Sequence, residues 1–77
     1  MNKQRREKLN NDLILLRQIL SNVEQAADKE QDCVDNCPEN LQMSERYDAM
    51  EEAAELLAEA VTALEEAVEN ISRAIGR

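Results

Sequence analysis

The sequence predicts an all-α fold: an antiparallel two-helix coiled-coil hairpin, dimerising into a four-helix bundle. Three observations carry this. Residues Ala49 to Gly76 divide into four sevens, AMEEAAE, LLAEAVT, ALEEAVE and NISRAIG. Met50, Leu57, Leu64 and Ile71 share one heptad position; Ala53, Ala60, Ala67 and Ala74 follow three residues later, and Ala54, Val61, Val68 and Ile75 one later again. So wide an apolar seam has to lie against other helices. A second seam runs earlier in the chain, where Leu9, Leu13, Leu16, Leu20, Val23 and Ala27 alternate spacings of four and three. Finally, one glycine, one proline and one aromatic residue in 77 leave no strand or β-turn chemistry.

The first helix is expected over about residues 2–34, with Asn2 as its N-cap. Ile14, Leu15, Ile19 and Ala26 lie beside its seam, and the run LILL at 13–16 is apolar around more than half the helix. One partner helix cannot cover all of that: the plainer reading is a broad core stripe, the sharper one a second, intermolecular face. A lone two-helix hairpin also buries too little to be stable. Ile14, Leu15 and Ile19 are therefore expected in an interface with a second copy. Residues 35–43, DNCPENLQM, break the pattern. Pro38 forbids continuation, Asn36 and Asn40 favour turns, and Pro38 suits the first position of a single turn, PENL.

The second helix is expected over about residues 44–76, capped by Ser44, favoured by Glu45 in its first turn and stopped at Gly76. Pairing around the middle of the turn places Leu9 near Ile71, Leu16 near Leu64 and Val23 near Leu57. The whole chain reads as a single helical-hairpin domain over residues 1–77.

The formal net charge of −8 splits into +3 over residues 1–22 and −11 over the rest. An acidic bulk argues against direct nucleic-acid binding. No stretch is long and apolar enough to span a membrane. No secretory signal is evident, because the basic start lacks a following apolar run and a cleavage site. The expected location is the cytoplasm.

Two charged surfaces are candidates for binding. Asp48, Glu51, Glu52, Glu55, Glu59, Glu65, Glu66 and Glu69 recur at helical spacing away from the seam. This stripe, about 32 Å long at helical rise, suits a basic partner protein; the plainer reading is a solvated face that keeps the chain in solution. Lys3, Arg5, Arg6 and Lys8 crowd the start of helix 1 against its dipole. In a hairpin they meet Arg73 at the end of helix 2, which makes an alternative anion site; the plainer reading is a loose start held by Glu66 and Glu69.

Cys33 and Cys37 have CxxxC spacing with no histidine anywhere, so neither a zinc site nor a CxxC redox pair is indicated, and packing under the turn is expected. Glu30 stands where the helix 1 seam calls for an apolar residue; a local ion pair or cap near Arg46 and Tyr47 that fixes the turn is the expected reason, and a ligand-binding carboxylate is the alternative. No metal, cofactor, phosphate loop or nucleophile motif is indicated, and solvated carboxylates on one helix are weak acid–base catalysts. The expectation is a protein without enzymatic activity.

The run Asp35-Asn36-Cys37-Pro38-Glu39-Asn40-Leu41-Gln42, followed by Ser44-Glu45-Arg46 and Ala49-Met50-Glu51-Glu52-Ala53, resembles small acidic helical-hairpin proteins of Gram-positive bacteria, their prophages and mobile elements. The likeness covers the turn and helix 2, and helix 1 only in general character. It brings no activity and no site, but it implies a context in which small proteins inhibit or regulate by binding. The expectation is therefore an anti-CRISPR-like inhibitor of a basic host protein, a nucleic-acid-binding defence factor, acting through the acidic face. The alternatives are a nucleotide sponge using the basic tip and a scaffolding coiled coil. The turn is more specific than a connector needs, which marks Pro38, Asn40, Leu41 and Gln42 as a contact surface.

Overall fold

Asn2 starts the first helix as its residue type suggests. Its backbone is extended, and its side-chain oxygen accepts the Arg5 N–H at 2.8 Å, satisfying one of the donors that a helix start leaves free. The computed structural model describes residues 1–77, with α1 over Lys3–Asp35, a single 3-10 turn over Glu39–Leu41, and α2 over Glu45–Ile75.

The connection is a sequence of small closures. The Asn36 N–H donates to the Asp32 carbonyl at 2.9 Å and ends α1. Pro38 stays extended, at φ −60° and ψ 144°, so it precedes the 3-10 turn instead of forming its first residue. Leu41 N–H donates to the Pro38 carbonyl at 2.9 Å, and the Gln42 side-chain amide reaches back to the Cys37 carbonyl at 3.1 Å. The Ser44 hydroxyl donates to the Leu41 carbonyl at 2.8 Å and accepts the Tyr47 N–H at 3.1 Å, joining turn and helix at one atom. At the far end Gly76 keeps a right-handed backbone, φ −73° and ψ −9°. Helix 2 thus stops at the expected place without using glycine's left-handed freedom.

The two helices pack along their length into a rod of 59 × 14 × 14 Å, with a radius of gyration of 17.4 Å; a compact chain of this length would have about 11.5 Å. A half-buried line runs down α1 through Arg6, Leu9, Leu16, Leu20, Val23, Ala27, Glu30 and Val34, with Leu13 buried on it. Its counterpart on α2 includes Met50, Ala53, Leu57, Ala60, Leu64, Ala67 and Ile71, with Ala54 buried. Ala74, expected on this line, is exposed. No helix is long and apolar enough to cross a membrane.

The register differs from the expected pairing by about one helical turn. Arg6 reaches the Arg77 carbonyl. Ala27 shares a groove with Ala58, and Glu24 shares it with Val61. Cys37 lines a hollow with Tyr47. Leu9 is therefore level with Ile75, Leu20 with Leu64 and Glu30 with Ala54, in place of Leu9 with Ile71 and Leu16 with Leu64. The cause lies in the turn: Asn36 to Pro38 carry the chain onward before the 3-10 turn crosses it over, so α2 begins beyond the end of α1 and Tyr47, not its first residue, comes beside Cys37.

Candidate functional site

The acidic stripe is an edge of the rod. Asp48, Glu51, Glu52, Glu55, Glu59, Glu65, Glu66 and Glu69 are all exposed. At about 100° per residue, Asp48, Glu52, Glu55, Glu59 and Glu66 point away from α1, and Glu51, Glu65 and Glu69 spread onto one adjoining face. Glu69 alone has a cation against it: Arg73 Nη2 lies 2.8 Å from its Oε1. That exposed i, i+4 pair contributes about 0.3–0.5 kcal/mol. It is the only ion pair in the structure, so the remaining seven carboxylates have no cation against them.

Two expected pairings are absent. Glu30 does not meet Arg46, because the shifted register sets Glu30 level with Ala54 and leaves Arg46 beside the turn. Glu66 and Glu69 do not hold the basic start, because Glu69 turns to Arg73 on its own helix.

The basic end is held by backbone and hydroxyl acceptors instead. Arg6 donates from Nη2 to the Arg77 carbonyl at 2.7 Å, which places a cation on the negative end of the α2 dipole. Its Nε is buried without a partner. Further along α1, Arg17 Nη2 donates to Ser72 Oγ at 3.3 Å. Lys3, Arg5 and Lys8 remain exposed. Of the five cations proposed for an anion, Arg6 and Arg73 thus already serve the chain itself. The sequence carried no signal for the Arg17–Ser72 contact, since it depends on register.

At the turn, Cys37, Pro38, Leu41, Arg46, Tyr47 and Met50 are among the residues that line an open hollow of ≈ 470 Å³. Tyr47 is half-buried there. Partial burial, followed by the charge of Glu51 and then Cys37, Asp35 and Asp48, pushes its phenol above the usual tyrosine value. Both cysteines are free thiols. Cys37 is half-buried, as packing under the turn requires, but Cys33 is exposed, because it falls outside the contact line of α1. Of the four turn residues, Pro38, Asn40 and Leu41 face solvent; Gln42 is half-buried and tied to the Cys37 carbonyl, so its role is to brace the turn.

Large apolar side chains remain uncovered. Ile14 is 64% exposed, Leu15 58%, Ile19 50% and Leu56 57%. Leu56 was not among the expected interface residues; its place in the alanine column of α2, with Ala49, Ala53, Ala60 and Ala63, is the signal that could have found it. No protein-family model, curated protein or solved structure matches this chain.

Proposed function

We propose that the chain is a non-enzymatic binding module whose acidic α2 edge docks on a basic protein surface. The observation that carries this is the row from Asp48 to Glu69, exposed throughout and neutralised only at Glu69. A rigid helix holding negative charge along about 32 Å is complementary to a groove that otherwise receives a nucleic-acid backbone. Like charges at i, i+3 and i+4 cost the helix a few tenths of a kcal/mol per pair, a cost that a basic partner removes. The partner fitting this description is a host nucleic-acid-binding defence factor. The mobile-element context implied by the turn sequence makes inhibition of that factor the natural outcome.

The test compares two variants against the partner captured from host lysate. In the first, Glu52, Glu55, Glu59 and Glu66 become glutamine. In the second, Lys3, Arg5 and Lys8 become glutamine, leaving Arg6 on the α2 end. The first should keep its helicity yet associate more slowly, since complementary charge acts largely on the encounter rate. The second should bind normally. The reverse result assigns function to the basic tip and an anionic small ligand, and normal binding by both excludes either charged surface.

A further inference from the structure

Of the exposed large apolar residues, Met1, Leu41 and Met43 lie at the ends of the rod and Ile14, Leu15, Ile19 and Leu56 along it. On α1, Leu15, Ile19 and Ala26 fall to one side of the line of contact with α2, while Arg17, Glu24 and Asp28 fall to the other, and Ile14 lies near the outer edge, at about 100° per residue. On α2, Leu56, Ala63 and Ala67 fall to one side, while Ala58, Glu65 and Ser72 fall to the other. Two contacts decide which sides belong together. Arg17 bonds to Ser72, and Glu24 and Asp28 share a groove with Ala58 and Glu65. Those residues make up the polar face. Leu15, Ile19 and Leu56 therefore share the opposite face, with Ala26, Ala63 and Ala67 between them.

We infer that this face seats a second copy of the chain, related by a two-fold axis parallel to the rod, with both turns at one end. Area supports the dimer. The chain exposes 6082 Å², whereas a folded monomer of 8.8 kDa exposes about 4,800 Å². A face of a 59 × 14 Å rod offers about 800 Å² for contact, which is the share each partner contributes to a stable interface.

Shape and charge support the orientation. Helix α2 carries nine acidic and two basic residues, and α1 seven and six. With the axis parallel to the rod, each α2 lies on the α1 of the partner subunit. With the axis across the rod, α2 lies on α2 and the acidic edges run side by side. In the first arrangement Leu15 and Ile19 come level with Ala63 and Ala67 of the partner subunit, and Leu56 comes level with Ala26 of the partner subunit. Large side chains then meet small ones throughout. The acidic edges stay open, so this dimer and the docking surface stand or fall separately.

Sedimentation equilibrium should give the native chain twice its 8.8 kDa mass. Leu15→Glu with Ile19→Glu should abolish the dimer, and so should Leu56→Lys alone, whereas Ile14→Glu on the outer edge should leave it intact. A spin label on Asn40→Cys, in a chain with both native cysteines changed to alanine, reads the orientation. Turns at one end place the labels within about 20 Å of each other, given interaxial distances of 8–10 Å; turns at opposite ends separate them by nearly the 59 Å rod length. A monomeric native chain, a dimeric double variant, a dimer lost through Ile14→Glu, or a long label distance overturns the proposal. If the double variant unfolds, the Leu56 and Ile14 variants and the label distance still decide it.

Discussion

A carboxylate on the contact line is the point at which this sequence departs from its own pattern. Glu30 is half-buried at a seam position, level with Ala54, one of only two buried residues. It has no cation or hydrogen-bond partner. Its methylenes can lie on the alanine while the carboxylate reaches water. Glu30→Leu should therefore stabilise the fold, by about 1 kcal/mol for partial burial of a leucine, which raises Tm by about 4–8 °C in a domain of this size. A double-mutant cycle between Glu30 and Arg46 should show no coupling. An unchanged or lower Tm, or coupling beyond error, would contradict the register described here. The seam position of Glu30 is legible from spacing alone. What it faces is not, because the partner across the seam depends on where α2 begins relative to α1, and Asn36 to Pro38 set that by carrying the chain onward.

Helix ends were the more readable elements. Asn2 and Ser44 both cap as their side chains predict, since each short polar side chain can reach the N–H three residues on. The interior of the turn was less readable. A single turn at PENL follows from Pro38, although Pro38 precedes it and does not form its first residue; the Gln42 bond to the Cys37 carbonyl depends on how the chain crosses over, and residue preferences alone do not specify that. Ser44 unites the two kinds of contact, accepting from α2 and donating to the turn. Ser44→Ala should cost about 1 kcal/mol, within the usual range for lost caps. Ser44→Asp keeps the accepting oxygen and loses the donor, so it should fall between the two. Thermal denaturation followed by circular dichroism checks the order, and an alanine variant as stable as the native chain would remove Ser44 from the closure of the turn.

For the whole molecule, a thin rod with Leu13 and Ala54 as its only buried residues lacks the interior that stabilises most chains of this length. The coiled-coil pattern was legible because both helices obey it. The second apolar face was legible only in part: Leu15 and Ile19 stood out in a continuous apolar run, whereas Leu56 sits among alanines and becomes conspicuous only when the two helices are placed side by side. If that face is covered by a second copy, folding and association are one event, and stability depends on protomer concentration. Unfolding of both chains should absorb about 110 kcal/mol near 60 °C, at about 0.7 kcal/mol per residue. The midpoint should then rise by about 5 °C for each tenfold increase in concentration. The Leu15→Glu, Ile19→Glu variant, if it folds, should melt lower and at a midpoint independent of concentration. High salt should raise the native midpoint, because it screens the like charges along α2. A native midpoint that stays constant over a hundredfold range of concentration would show that the hairpin is stable alone and that its apolar face is free for something other than itself.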